Sequence, residues 1–127
     1  MKYDLKELSL KMGRAEYEMY QDIPAKESGS TNLCYGLPYE VFTEFLEGQL
    51  ARKFQEVSKY DTPTTIFVMY VDGYPVGYIG VRTKLNEQWA KWSGNIFYAI
   101  RQSERGKGYA TQMLKMTLEI LRQQGWQ

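Results

Sequence analysis

The strongest hydrophobic periodicity in the chain lies between residues 42 and 57, where apolar side chains recur at steps of three or four positions. The apolar members of this run are Phe42, Phe45, Leu46, Leu50, Phe54 and Val57. The spacing predicts an amphipathic helix whose aromatic stripe, from Phe42 to Phe54, packs into a core. Pro38 suits the first turn of this helix because its missing N–H needs no partner there, and Asp61-Thr62-Pro63 predicts its end.

A shorter helix is predicted before this one, from Gly13 to about Asp22. Its apolar residues near helical spacing are Met12, Ala15, Met19 and Ile23. Pro24 predicts the end of the helix, because a proline disfavours helical backbone in the residue before it. Two flanking segments have weaker patterns. Leu5, Leu8 and Leu10 stand among charged neighbours and predict a weak first strand, and the polar residues 26–32 predict a loop.

A hairpin and a further strand are predicted in the second half of the chain. Residues 64–71 are rich in β-branched and aromatic types, and residues 75–82 form the partner strand. Asp72-Gly73 between them is the two-residue signal of a tight hairpin. An alternating run at residues 94–100 predicts the next strand. The order of elements therefore predicts an α+β, or mixed α/β, domain with a mostly antiparallel central sheet flanked by helices.

The last predicted element is an amphipathic helix from Tyr109 to Gln124, with Gly125 as its terminator. The residues expected to face the core are Ala110, Met113, Leu114, Thr117, Leu118 and Leu121. A strand followed by a helix usually returns as a parallel strand, which here would begin at Trp126. We therefore expect residues 1–127 to be one domain that lacks this return strand. We also expect a homodimer, strand exchange or further polypeptide to cover the exposed sheet edge.

Composition and charge exclude several classes of function. Hydrophobic residues make up 43% and charged residues 24%, which is typical of a globular domain, and a net charge of +1 argues against nucleic-acid or membrane partners. Because the chain has no His and only Cys34, it lacks the residues of a Ser–His–Asp triad, a zinc site or a disulfide. No membrane span or signal peptide is recognisable, and we expect a cytoplasmic protein without a metal.

Residues 105–110, Arg-Gly-Lys-Gly-Tyr-Ala, link the last predicted strand to the last predicted helix. The amide N–H groups at a helix start bind anions, and glycines let a phosphate approach where a Cβ would block it. Arg105 and Lys107 add positive charge, so this loop predicts a pyrophosphate site. On these six residues alone, an ordinary strand-to-helix turn accounts for the pattern equally well. A kinase-type P-loop is excluded because Lys107 is followed by Gly108 rather than Ser or Thr.

The loop in this setting resembles that of the GNAT superfamily of acetyl-CoA-dependent N-acetyltransferases. In that superfamily the loop has Arg or Gln, then two residues of any type, then Gly, then one residue of any type, and then Gly or Ala. Arg105, Gly108 and Ala110 occupy these three fixed positions here. The order of elements also fits, so the resemblance covers the chain from about Leu5 to Gln127. It implies transfer of an acetyl group from acetyl-CoA to a primary amine of a small molecule or a protein. The alternative is a non-catalytic acyl-CoA-binding module or an inactive truncated fragment.

The resemblance also implies which residues bind coenzyme A. The loop and first helical turn would bind the pyrophosphate, and the strand before them would pair with the pantetheine arm, with an N–H near Tyr98 holding the acetyl carbonyl. The implied cofactor-binding residues are Tyr98, Ile100, Arg105, Gly106, Lys107, Gly108, Tyr109, Ala110 and Thr111. The catalytic acid is often a tyrosine on a helix after the fifth strand, which lies beyond this sequence, so the catalytic residues stay unassigned.

Other candidates have simpler explanations. Glu87 is a candidate base, but a loop glutamate is more often exposed to solvent. Asn32 and Tyr35 resemble acceptor-lining positions of the superfamily, while a plain compact loop is an equally good account. Cys34 is expected to be a small buried hydrophobic residue because no base accompanies it. The strand tyrosines are expected to pack as buried rings; they are Tyr70, Tyr78 and Tyr98.

Overall fold

The computed structural model describes residues 1–27, 30–54, 63–82 and 96–123. Its strands are β1 (Tyr3–Glu7), β2 (Lys26–Glu27), β3 (Ser30–Thr31), β4 (Thr64–Val71), β5 (Tyr74–Arg82) and β6 (Ile96–Ile100). Its α-helices are α1 (Arg14–Gln21), α2 (Phe42–Ala51) and α3 (Tyr109–Gln123). Short 3₁₀ turns occupy Tyr39–Val41, Arg52–Phe54 and Gln102–Glu104. The α+β class predicted from the order of elements is confirmed.

Four strands form an antiparallel sheet in the order β1-β4-β5-β6. The predicted hairpin joins β4 to β5, and its turn residues have positive φ angles of 51° at Asp72 and 82° at Gly73. Positive φ at both central residues matches the right-handed twist of the flanking strands, which explains why Asp-Gly predicted this turn correctly. Among the described strands, β6 lies at one edge of the sheet and pairs with β5 alone.

The sheet separates two apolar layers. On one face, α1 and α2 pack against Val68, Tyr70 and Tyr78, with Phe42 and Leu46 buried between them. On the other face, Tyr109 and Met113 of α3 pack against the strand residues that alternate with those of the first face, including Met69, Val71 and Ile79. This division follows from strand geometry, because successive side chains of a strand point to opposite faces.

Several details of the sequence prediction are wrong. Residues 26–32 are not only loop, since β2 and β3 pair as a short antiparallel ladder. The α2 helix ends at Ala51, and Phe54 in the following turn is 81% exposed rather than part of the core. On α3 the buried stripe is centred on Met113 and Thr117, which leaves Leu118 at the flank and 44% exposed. The predicted residues Val57 and Gly125 lie outside the described residues.

Candidate coenzyme A site

A cavity of about 250 Å³ opens where β6 meets the loop before α3. It is lined by Tyr98, Ala99, Ile100, Glu104, Arg105, Gly106, Gly108, Tyr109 and Ala110. Seven of these nine residues are cofactor-binding residues implied by the resemblance. The fold therefore brings the strand and the loop together around one space.

Two glycines give the loop its shape. Gly106 and Gly108 have φ angles of 80° and 81°, in the left-handed region where side chains other than glycine are strained. A Cβ added at either position would meet no described atom within 4 Å. The space beside the loop is therefore open, and the lack of side chains lets a bulky anion reach the backbone.

The backbone amides of the loop are the groups suited to bind an anion. The first helical hydrogen bond of α3 runs from the amide of Gln112 to the carbonyl of Gly108, at 3.2 Å. Within the described part of the chain, the six amide N–H groups of residues 106–111 have no acceptor in the protein. These donors lie at the positive end of a 15-residue helix, so their local field favours a bound anion.

The backbone of β6 presents a second set of hydrogen-bonding groups. The amide of Arg101 donates to the carbonyl of Val76 in β5 at 2.9 Å, so Arg101 faces β5. Because backbone direction alternates along a strand, Ile100 and Tyr98 present their amide and carbonyl groups to the opposite, cavity side. The carbonyl of Ile100 accepts a bond from Nε of Arg105 at 3.0 Å. An extended polar chain lying in the cavity could pair with this edge as an added strand does.

The two basic side chains of the loop contact the protein itself. Arg105 bonds to the Ile100 carbonyl, and Nζ of Lys107 lies 3.2 Å from a carboxylate oxygen of Glu104. Both residues are exposed, and half of the Lys107 side chain is accessible to solvent. Their predicted contact with phosphate stays a prediction.

A polar cluster that sequence reasoning missed lies directly before the loop. Oδ2 of Asp22 accepts hydrogen bonds from Nε of Arg101 at 2.9 Å and from Oγ of Ser103 at 2.6 Å. Burial by itself would raise the pKa of Asp22, but the bonds from Ser103 and Arg101 outweigh it and lower that pKa. Asp22 and Arg101 stand 79 positions apart. Local periodicity does not indicate such a pair. The sequence shows only that an arginine directly follows the predicted strand, and the burial of that arginine is visible in the structure alone.

The remaining sequence candidates have structural roles. Asn32 is buried, and its amide nitrogen donates to the carbonyls of Tyr20 and Ile23, which fixes the end of α1. Burial raises the pKa of the Cys34 thiol to about 11, against a lowering hydrogen bond from Gln21, so this thiol is a poor nucleophile. Tyr35 is 53% exposed. The candidate base Glu87 lies outside the described residues.

The strand tyrosines divide into two kinds. Tyr70 and Tyr78 are buried, as expected; Tyr70 donates a 2.6 Å bond to a carboxylate oxygen of Glu16, and Tyr78 stacks on the ring of Tyr20. Burial raises the pKa of Tyr70, and the Glu16 carboxylate raises it further. Tyr98 is 43% exposed and lines the cavity, so its expected role as a buried ring is wrong.

Comparison with models of protein families matches residues 33–127 to the acetyltransferase (GNAT) family. Comparisons with curated proteins and with solved structures gave no significant match. The described residues contain no group of three or more side chains suited to hold a metal ion. No helix in the described ranges is long and apolar enough to cross a membrane.

Proposed function

Because this chain belongs to the acetyltransferase (GNAT) family, we propose that it transfers the acetyl group of acetyl-CoA to a primary amine. The acceptor amine is carried by a small molecule or a protein. The observation that supports acetyl-CoA as the donor is the run of six amides at residues 106–111, which have no acceptor among the described residues and lie beside the open cavity at β6. A diphosphate is the part of coenzyme A that such a row of donors would bind.

The residues present fit coenzyme A in two respects. The loop has no Cβ at Gly106 or Gly108, so the space that a diphosphate needs is open. The outward backbone groups of Tyr98 and the outward amide of Ile100 suit the amide-containing pantetheine arm, which hydrogen-bonds as a peptide does. The partial positive charge at the N-terminus of α3, rather than a buried cation, would offset the negative charge of the diphosphate.

The chemistry requires modest help from the protein. Acetyl-CoA supplies an acetyl group already activated as a thioester, so an amine held in position reacts with it and releases a thiol. The outward amide of Tyr98 is suited to donate to the acetyl oxygen, where negative charge develops as the amine attacks. A base must take a proton from the ammonium, and an acid must protonate the leaving thiolate. We assign neither role to a described side chain.

Calorimetric titration with CoA and a thiol-release assay with acetyl-CoA test this proposal together. We expect CoA to bind with a dissociation constant in the micromolar range, and thiol release to depend on an added amine from a panel of small amines and peptides. Binding without amine-dependent release would support the alternative, a non-catalytic acyl-CoA-binding module. Absence of binding at millimolar CoA would contradict both functions.

A further inference from the structure

The carboxylate of Asp22 joins three parts of the chain. It follows the C-terminal end of α1, and one of its oxygens, Oδ2, accepts bonds from the side chains of Arg101 and Ser103. The amide of Ser103 also points to this oxygen at 3.3 Å, and the amide of Gln102 donates to the Asp22 carbonyl at 2.8 Å. The turn after β6 is therefore fixed to α1 by four contacts with a single residue.

Arg101 fixes the same turn to the sheet. Its side chain is only 10% exposed and donates through Nη1 to the carbonyl of Pro75 at 3.1 Å. The group also lies over the ring of Tyr74, with 4.7 Å to the centroid. An arginine with these partners has one available orientation, because its planar donors are divided between a carboxylate and a carbonyl.

The fixed turn leads directly into the glycine loop. The turn spans residues 101–105, and Gly106 follows it directly. Nε of Arg105, the last residue of the turn, donates to the carbonyl of Ile100. A segment with two glycines loses much conformational freedom when it becomes ordered. Its backbone amides therefore point at one ligand only if the ends of the segment are held in place. Arg101, Asp22 and Ser103 are not among the described residues that line the cavity. Any effect they have on a ligand there passes through the backbone.

A purely structural role explains these contacts less completely. Compared with an apolar pair of the same size, a partly buried ion pair adds little net stability, because desolvation of the charges offsets their attraction, although removing one partner alone is costly. Here the Asp22 side chain is 26% exposed. Its three contacts, and the bond from the Gln102 amide to the Asp22 carbonyl, all go to the turn beside the loop rather than to the core. The cluster therefore fixes the shape of this turn in addition to the stability that it contributes.

We propose that Asp22 is a positioning residue for the diphosphate loop, acting through Arg101 and Ser103 to fix the turn from which the amides of residues 106–111 project. This inference rests on the proposed function of that loop. It adds a residue from α1, outside the loop and the cavity, to the determinants of cofactor affinity.

A double-mutant cycle on CoA affinity tests the inference. We expect Asp22→Asn and Ser103→Ala each to weaken CoA binding by about five- to twentyfold. Because Ser103 acts on the loop through the Asp22 carboxylate, the double variant should be weaker than the stronger single variant by no more than about threefold. Glu119→Gln is the matched control, since it breaks an exposed ion pair with Arg122 on α3 and should leave CoA affinity unchanged.

A second measurement separates positioning from stability. In the ligand-free amide proton–nitrogen spectrum, Asp22→Asn and Ser103→Ala should shift the resonances of Gly106 and Gly108, while that of Gly48 in α2 stays in place. Shifted loop glycines together with weaker CoA binding support the inference. A lower melting temperature with unchanged glycine resonances and unchanged CoA affinity would overturn it.

The two proposals fail in different ways. Wild-type protein that does not bind CoA contradicts the proposed function, and this inference with it. Wild-type protein that binds CoA while both variants bind equally well contradicts this inference alone. If Asp22→Asn does not fold, Ser103→Ala decides the question, because Ser103 is exposed and its loss leaves the Asp22–Arg101 pair intact.

Discussion

Gly106, Gly108 and Gly73 have nearly the same backbone conformation but different surroundings. All three have φ between 80° and 82°, and a Cβ at each would lie more than 4 Å from the atoms of the described residues that could obstruct it. Gly73 lies in the β4–β5 turn, whereas the other two lie beside the cavity at the start of α3. The shared conformation makes Gly73 a matched control for the effect of strain.

We expect Gly108→Ala and Gly73→Ala each to lower the free energy of unfolding by about 1–2 kcal/mol, because alanine is strained at positive φ. Only Gly108→Ala should weaken CoA binding, by at least about tenfold, since its methyl group enters the space intended for the diphosphate. Urea unfolding and calorimetry measure the two effects. Equal losses of CoA affinity in both variants would contradict a role for the loop.

Cys34 tests whether burial controls reactivity in this chain. The thiol is fully buried and its pKa is about 11, so very little thiolate exists near neutral pH. We expect a thiol reagent at pH 8 to modify the native protein at least about a hundredfold more slowly than the urea-unfolded chain. Similar rates for the two states would show that Cys34 is accessible.

Asp22 should make stability depend on pH in a defined direction. Its pKa is lowered in the folded state, whereas the unfolded value is about 3.9. The carboxylate therefore stabilises the fold fully above about pH 4, and this contribution is lost as pH falls through the folded pKa. We expect wild type to exceed Asp22→Asn by about 1–3 kcal/mol in unfolding free energy at pH 7. That difference should shrink in acid; a difference that stays constant down to about pH 3 would contradict the charge-based explanation.

At the scale of elements, the contact between β5 and β6 depends on two glycines of β5. A Cβ at Gly77 would meet the backbone carbonyl oxygen of Ala99, whereas a Cβ at Gly80 would meet the ring of Phe97. A ring can turn aside, but a backbone atom moves only with its strand. The two glycines therefore permit the close approach of β6 for different reasons.

We expect Gly77→Ala to be the more destabilising of the two changes, because it must push β6 away from β5. Its loss should be about 2–4 kcal/mol, and that of Gly80→Ala about 1–2 kcal/mol. Combining Gly80→Ala with Phe97→Leu should recover part of the loss by removing the ring. Thermal unfolding of the four proteins measures this, and a reversed order would contradict the register of the β5–β6 pair.

Elements with strong local signals were predictable, and weak ones were not. Asp72-Gly73 defines its own turn, and the β-branched run before it is β4 with the predicted bounds, Thr64–Val71. By contrast, the β2–β3 ladder has two residues in each strand, which is too short for an alternating pattern. The helical spacing through Phe54 extends past the end of α2, because apolar spacing alone does not show where a helix stops contacting the core.

At the scale of the whole molecule, the candidate site was predictable only where it is continuous in sequence. The loop at residues 105–110 carries its own motif, and β6 directly precedes it. The Asp22 cluster joins residues that are distant in sequence, and the outward direction of Tyr98 depends on pairing with β5. Such features follow from tertiary structure, which local patterns do not encode.

Because β6 lies at the edge of the described sheet, the expectation that a further strand covers it is still to be tested. Within the described sheet this strand pairs with β5 on one side. Pairing of its other side with a second copy or with further polypeptide stays a prediction, as does the acceptor amine. A cofactor that lies along this edge and a strand that covers it would have to share the same backbone groups or divide them along β6.

The most direct test of the central claim is an amide proton–nitrogen spectrum of the labelled wild-type protein, titrated with acetyl-CoA. We predict that the largest shifts occur at the amides of residues 106–111 and that Tyr98 and Ile100 follow, while Gly36 and Gly73 do not move. Saturable binding of acetyl-CoA that leaves residues 106–111 unshifted would contradict the claim that these amides bind the diphosphate.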